Sequence, residues 1–297
     1  MGVGIVGAGT LIYVAYLSLM WVFGWVALKV PRSWEVDIGR NASQSILSEK
    51  RVCGNRKLNA FMGRMSRRLQ KAVKNKPYVF RFKVIDEKKV NAFALPGGYV
   101  FVHQGLIAKA ESGEEVAGVL AHEMQHVLQR HGMKRIVRHL GVYIVLRMIF
   151  GDVAGFVDLA AQGAAKLGNL KYDRSQEDEA DMKGCKLLYR AGIDPRGLPK
   201  FFDRLAEKEK NMSEAERSLL PLLSTHPPSK ERKKRLMRYI KKRGLPEKMR
   251  PLTGFAEIKD KCDPMSLTDP DKDPPGMAEG GQGEAGDAPK KGAGEPR

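Results

Sequence analysis

The chain has 297 residues, 42% hydrophobic and 29% charged, which is enough for one large or two small domains with a sizeable core. Lys and Arg number 52 against 34 Asp and Glu, a net charge of +18. That surplus suits an anionic partner such as lipid headgroups, or simply a solvated basic surface, and no finger or other nucleic-acid motif accompanies it, which argues against nucleic acid.

From Gly2 to Leu28 no residue is charged. As a helix, this stretch would span about 40 Å, enough to cross a bilayer with tilt. Trp21, Trp25 and Trp34 gather near its far end, where an interfacial aromatic belt would sit. A basic start and a small-residue cleavage site are both missing, so the segment is predicted to be an uncleaved single-pass anchor in membrane lipid. Gly2-Val3-Gly4-Ile5-Val6-Gly7 matches a dinucleotide-binding fingerprint, but no strand precedes it, and small residues in a membrane helix explain it better. Lys29, Arg32 and Arg40 follow the span. By the positive-inside rule they place the rest of the chain in the cytoplasm; long domains override that rule, so the side stays open.

Residues 31–57 read as a polar connector with a short helix. Leu58, Phe61, Met62, Met65, Leu69, Ala72 and Val73 recur at helical spacing and predict an amphipathic helix with a basic outer face. Tyr78 to Asp86 alternates in strand fashion. Two further short strands follow, Val90–Ala94 and Gly98–Val102, divided by a Leu95-Pro96-Gly97 turn. Together they predict a small antiparallel sheet.

Ser112-Gly113-Glu114-Glu115 is a capping-box pattern opening a helix that contains His122-Glu123-Met124-Gln125-His126. His residues four apart share one helix face and can close on one metal ion, while Glu123 can act on a water beside it. This is the arrangement of a zinc-dependent peptidase. His131 falls off the ligand face and reads as structural; His103 and His139 carry no motif.

The segment from Ile136 to Leu170 is apolar but broken by charges, and predicts an amphipathic helical pair packed on the core or on a membrane surface. Ser175 to Asp178 resembles a second cap, for a helix running to about Arg190 with Gly192 beyond. Asp194-Pro195 reads as the start of another, Ser213 to Glu216 as a third capping pattern, and residues 229–243 as a last basic helix ending at Gly244. From Asp263 onward, 13 of 35 residues are Gly or Pro, so a disordered tail is expected. The cysteines, Cys53, Cys185 and Cys262, are odd in number and widely spaced; they fit neither a disulfide framework nor a thiolate zinc site and read as buried or free thiols.

A catalytic zinc needs a third protein ligand, with one position left for water. Glu177-Asp178-Glu179-Ala180-Asp181 offers it: Glu177 and Asp181 share one helix face, while Glu179 points away. With Glu177 on the metal, Asp181 lies one turn along, where it can take a hydrogen bond from a ligand imidazole. Glu123 is then the general base, taking the proton of the attacking water and passing it to the leaving amine.

Four motifs occur in order: Asn91-Ala92-Phe93-Ala94-Leu95-Pro96-Gly97-Gly98, His122-Glu123-Met124-Gln125-His126, Glu177-Asp178-Glu179-Ala180-Asp181 and Thr225-His226-Pro227-Pro228-Ser229. Across about residues 40–245 the chain resembles the membrane-associated gluzincin family of the CAAX prenyl proteases and HtpX, closest to its BepA/LoiP-like branch. The resemblance implies an α+β, mostly helical zincin fold and one Zn²⁺ per chain on His122, His126 and Glu177, with Glu123 catalytic. It also implies a strand around Asn91 and Ala92 that borders the cleft and pairs with extended substrate, with Gly97 and Gly98 turning beside it. His226, in a loop stiffened by two prolines, is expected to reach the cleft, either to stabilise the oxyanion or to occupy the fourth zinc position. The chain departs from the prenyl proteases in having one confident span, and single-span relatives work outside the cytoplasm, so the side is not settled by the resemblance. The expected organisation is an anchor (1–30), a connector (31–57), a metallopeptidase domain (58–245) and an extension with a tail (246–297). The expected function is a membrane-anchored metalloendopeptidase acting on protein or peptide substrates in protein quality control. The alternative is a non-catalytic tethered chaperone or binding module. The oligomeric state stays open.

Overall fold

The computed structural model describes residues 29–138, 151–166 and 171–259, together with residues 14, 18, 25, 27, 141 and 262. The predicted span over residues 2–28 and the tail from Asp263 therefore lie outside the described residues, apart from those single positions. Among the described residues no helix is long and apolar enough to cross a membrane.

Helix α1 (Arg32–Glu49) opens the described chain, and α2 (Arg56–Lys71) follows, capped by the Asn55 side chain, which accepts the Leu58 N–H at 3.1 Å. Residues 32–49 are thus no short connector helix. They form an 18-residue helix that buries Glu35, Ile38 and Ala42. In α2 the apolar side chains fall on one face, as their spacing requires, and Leu58, Met62, Met65 and Leu69 are fully buried.

The sheet is mixed, which corrects the antiparallel arrangement expected from sequence. Strands β1 (Arg81–Ile85), β2 (Ala92–Ala94) and β3 (Tyr99–His103) lie in the order β1-β3-β2. β1 runs parallel to β3, Arg81 opposite Tyr99, while β2 runs antiparallel to it, Phe93 opposite Phe101. The connection between β1 and β2 carries the chain past the place that β3 later fills, so β3, the most buried strand, sits between two partners. A two-residue period encodes which face is buried, not strand direction, so sequence alternation could not show this. The turn between β2 and β3 is a short 3₁₀ segment, Pro96–Gly98, in which Gly97 has φ 75°. A Cβ there would lie 2.5 Å from the Val36 Cα, so glycine is what lets α1 pack on this turn.

A short helix α3 (Gln104–Lys109) leads to α4 (Gly113–Leu128). The Ser112 hydroxyl caps α4 on the Glu115 N–H, and the Glu115 carboxylate accepts the Glu111 N–H and a two-pronged bond from Arg204. All but two of the residues from Gly113 to Leu128 are buried, so α4 is the central rod of the molecule. Around it pack the sheet, α6 (Arg174–Ala191) and α7 (Gly197–Lys210). The cap of α6 is Asp173, which forms a reciprocal box with Gln176, two residues earlier than Ser175. Gly192 ends it at φ 64°, as expected. α7 likewise begins two residues later than Asp194-Pro195 suggested. Helices α8 (Glu214–Arg217), with its Ser213 box, α9 (Pro221–Thr225) and α10 (Lys230–Arg243), capped by Ser229 and ended by Gly244, complete the domain.

Where described, the 136–170 segment packs on the core. Residues 131–138 are helical, and α5 (Val153–Ala165) lies against α1; Met133, Ile136, Ala160 and Ala164 join Ile38, Leu95 and Phe101 in a second apolar cluster.

The cysteine expectation is overturned in part. Cys53 and Cys262 form a disulfide across 209 residues, and only Cys185 is a free buried thiol. Spacing along the chain cannot reveal such a pair, because the fold brings the ends together. The segment after α10 runs back over the domain: the Leu252 N–H donates to Glu114, Phe255 meets Phe61 with centroids 5.8 Å apart, and Ile258 is buried. Replacement by Cys262→Ser is expected to lower the unfolding free energy by about 2–5 kcal/mol in urea titrations. Reductant should cost the parent the same amount and the variant nothing; equal stability of the two oxidised proteins would show that the link is not formed.

His103, at the end of β3, is 8% exposed, and burial holds its pKa down at about 4 against the partial counter-effect of Glu87. The folded state therefore binds this proton less readily than the unfolded chain, so stability is present above pH 6.5 and falls as pH drops toward 4. Between pH 7 and 4.5 the contribution is about 2–3 kcal/mol. His103→Gln should remove that part of the acid sensitivity in paired urea titrations at the two pH values, and an unchanged pH dependence would refute it.

Candidate metal centre

The site lies where α4 and α6 touch. Gly184 of α6 makes the approach possible: a Cβ there would meet the His122 backbone N at 3.2 Å. Across this contact α4 presents His122, Glu123 and His126, and α6 presents Glu177 and Asp181, all at most 5% exposed. The Nε2 atoms of His122 and His126 are 3.0 Å apart. Glu177 faces both, its Oε2 3.6 Å from His122 Nε2 and its Oε1 3.4 Å from His126 Nε2.

Both motif imidazoles are oriented from behind. His122 Nδ1 lies 2.9 Å from Asp181 Oδ1, and a carboxylate can only accept, which places a proton on Nδ1; in the neutral ring that a metal would bind, the Nε2 lone pair faces inward. His126 is held through an intermediary: its Nδ1 is 3.0 Å from His131 Nδ1, and His131 Nε2 is 3.0 Å from Glu179 Oε2. With the His131 proton donated to Glu179, its Nδ1 accepts from His126, whose Nε2 lone pair then also points inward. Burial holds the His131 pKa near 4, which keeps it neutral. Glu179 does point away from the cluster, yet through His131 it acts on it, a link that the spacing of the motif gave no reason to expect.

His226 follows α9 and is 2% exposed. Its Nδ1 lies 2.9 Å from Glu177 Oε1 and its Nε2 3.4 Å from Glu123 Oε1, so the loop does reach the cleft. Donor atoms of His122, Glu123, His126 and His226 all fall within 4.8 Å of one another, a grouping that could hold a metal ion. Both Glu123 oxygens are buried, with His226 Nε2 3.4 Å from Oε1 and the backbone N–H of Ala94 turned to the carboxylate.

The electrostatics follow from dryness and neighbours. Burial raises the Glu123 pKa, against the pull of His226 and His122. Burial also works to raise that of Glu177, but His226 and His122, with the rings of His126 and His226 within 3.4 Å of its Oε1, outweigh it and hold the carboxylate far below its usual range. Burial lowers His126 strongly, whereas on His122 the carboxylates of Glu177, Asp181 and Glu123 overcome burial and raise the pKa. Two imidazole lone pairs and a carboxylate converging in a dry space are the donor set of a three-ligand zinc site, so the residues fit a zinc ion.

Sequence reasoning missed Arg232 and Tyr172. Arg232, on the first turn of α10, places Nε 2.8 Å from Asp181 Oδ2, Nη2 2.9 Å from Asp181 Oδ1 and Nη1 2.9 Å from Glu177 Oε2. It offsets two buried carboxylates at once; in sequence it is one basic residue among many. Tyr172 stacks on His126 with centroids 3.7 Å apart, and the Arg135 guanidinium lies 3.5 Å from the Tyr172 ring centre.

Asn91, Ala92, Gly97 and Gly98 sit one layer away. Leu95 N–H donates to Tyr99 O and His103 N–H to Asn91 O, so the odd residues of this strand bond to β3, and the backbone groups of Ala92 and Ala94 face the outer edge, toward α4. Gly97 and Gly98 pack against their own chain, on α1 and on the Val79 carbonyl. On the other side, a cavity of about 890 Å³ between α7 and α10 reaches Asp181, Phe202 and Arg232.

An inward-facing H-E-x-x-H helix, met by a carboxylate from a second helix, defines a metallopeptidase of the gluzincin kind. The chain belongs to peptidase family M48, whose model matches residues 52–240 and whose members use zinc. It is 36% identical over 185 residues to the putative beta-barrel assembly-enhancing protease of Vibrio cholerae, covering 59% of this chain and 37% of that one. To the mitochondrial metalloendopeptidase OMA1 of Arabidopsis thaliana it is 36% identical over 153 residues, 52% of this chain and 30% of the other. To the beta-barrel assembly-enhancing protease of Escherichia coli it is 31% identical over 160 residues, 50% and 32% of the two chains. The chain thus spans about a third of the length of these relatives, and the resemblance to the BepA-like branch holds.

Breaking a buried ion pair from one side leaves uncompensated charge. Arg232→Met is therefore expected to destabilise the metal-free protein by about 3–5 kcal/mol, read by urea unfolding with a chelator present. A loss below about 1 kcal/mol would mean that water, not Arg232, screens Asp181 and Glu177.

Proposed function

We propose that the chain is a zinc-dependent metalloendopeptidase in which His122, His126 and Glu177 hold the metal, Asp181 orients His122, and Glu123 is the general base. The observation that carries this is the convergence of the two Nε2 atoms and the Glu177 carboxylate beside the buried carboxylate of Glu123. Zinc bound there polarises the scissile carbonyl and makes water a nucleophile near neutral pH. Glu123, raised in pKa by its dry surroundings, takes the water proton and returns it to the leaving amine. The outer edge of β2, at Ala92 and Ala94 and just after Asn91, takes extended substrate as an added strand. Gly97 and Gly98 hold the turn that keeps this edge beside α4.

His226 shuts the site. With Glu123, His122 and His126 all at most 1% exposed, substrate reaches them only when the 225–229 loop moves. The same closed state supports the second reading, a tethered binding module that keeps the fold without turnover.

The apolar stretch from Gly2 to Leu28 supports a single membrane anchor. The Cys53–Cys262 disulfide supports a position for the domain outside the cytoplasm, in an oxidising compartment, against the direction given by Lys29, Arg32 and Arg40. The names of the relatives, a beta-barrel assembly-enhancing protease and a metalloendopeptidase, support protein substrates, in keeping with a part in protein quality control.

The test is zinc content and casein cleavage of the full chain in detergent, beside Glu123→Gln and His226→Ala. One zinc per chain in parent and Glu123→Gln, with cleavage lost by at least about a thousandfold in the latter, is expected. His226→Ala should raise turnover if the side chain blocks the metal and lower it if it stabilises the oxyanion; unchanged turnover excludes both. Zinc without cleavage in the parent and in His226→Ala would favour the binding module.

A further inference from the structure

Away from the metal site, one cavity is built from cations. It measures about 540 Å³ and is lined by Arg64, Arg67, Arg68 and Lys71 of α2, Arg190 of α6, and Lys248 and Arg250 of the segment after α10. No carboxylate lines it; Arg67 is engaged elsewhere, and no ion pair holds the other six side chains among the described residues. Arg190 stands 13 residues from Glu177 on the same helix, so the cavity lies about 20 Å from the metal site.

Part of this charge has a structural use. Arg68 donates to the carbonyls of Ala191, Gly192 and Arg250 at 2.6–2.7 Å, and Arg190 to that of Ala72 at 2.9 Å. These two cations finish the C-terminal ends of α6 and α2, where carbonyls lack partners and the helix dipole favours positive charge. Arg64, Lys71, Lys248 and Arg250 remain, and all four are exposed. They come from two separate segments and face the same space. Arg64, Arg68 and Lys71 recur at helical spacing on one face of α2, where like charges repel. Burial lowers the Arg68 pKa, and Arg250 adds to this while Glu114 opposes it.

Such a set is unfavourable alone and favourable around a compact polyanion. A phosphate group offers three acceptor oxygens and up to two charges, and guanidinium forks match it. Three chain segments surround a volume suited to a small ligand or a headgroup, not to a polymer laid along a groove. We propose that this cavity binds a phosphate-bearing small molecule or the phosphate headgroup of a lipid, held by Arg64, Lys71, Lys248 and Arg250 around the fixed Arg68.

The full-length zinc-loaded protein in detergent should bind inorganic phosphate and glycerol 3-phosphate by calorimetry. The variant Arg64→Ala/Lys71→Ala/Lys248→Ala removes exposed side chains only, so it should fold, checked by its melting temperature. Its dissociation constant should rise at least tenfold. Lys234→Ala/Lys241→Ala/Lys242→Ala, which removes the same charge from α10, should leave binding within twofold. Retention on phosphatidylcholine vesicles containing phosphatidate, lost in the first variant and displaced by glycerol 3-phosphate, assigns the site to a lipid headgroup. Phosphate binding without retention assigns it to a soluble phosphate compound. Equal weakening by the two variants, tighter binding of a single-stranded oligonucleotide than of either phosphate, or no phosphate binding by the parent overturns the proposal.

Discussion

Everything in this domain answers to one packing contact, the touch of α6 on α4 at Gly184. It brings five ionisable side chains from two helices, and His226 from a loop, into one space without water. An uncompensated charge there costs several kcal/mol, so each group must be matched. His122 is matched by Asp181, Asp181 and Glu177 by Arg232, and Glu177 again by His226. The helices that carry these partners are thereby fixed in place. α10, otherwise a basic surface helix, is docked through Arg232, and the Tyr172 segment is tied to the His226 segment by the Tyr172 N–H on the Thr225 carbonyl. A zinc ion would enter a framework whose lone pairs are already aimed.

Parts of this were legible in the chain because they are local. The motif helix, its Ser112 cap, the Ser213 box and the Ser229-to-Gly244 helix depend on residues within one or two turns of each other, and they stand where their patterns placed them. The Asp181–His122 bond was legible too, since helical spacing puts Asp181 one turn beyond Glu177. Long-range choices were not. The parallel pairing of β1 with β3 leaves no mark in the sequence, because alternation encodes the buried face and not the strand direction. Arg232 is one of many cations in its helix, and only the fold shows that this one faces inward. His131 looked structural because it lies five residues past His126, off the face; a turn in the chain brings its ring behind that of His126. The caps of α6 and α7 were misplaced by two residues each, because the true start is chosen by packing as well as by side-chain chemistry.

The site combines an aimed donor set with a closed entrance. Glu123 and its imidazole neighbours are buried behind His226, while the edge of β2 and the cavity between α7 and α10 approach them from two directions. Under the function proposed above, selection would lie in what opens the 225–229 loop as much as in what fits the edge of β2.

The segment after α10 carries a mechanical consequence. Its last described residue, Cys262, is bonded to Cys53, just ahead of α2, and beyond it lie 35 residues rich in Gly and Pro. Tension applied to that tail passes through the sulfur–sulfur bond into the start of α2 and does not run along the backbone through α10. The helix that positions Arg232 is thus relieved of load. A partner could pull on the tail, or a second protease could trim it, while the geometry at the metal stays unstrained.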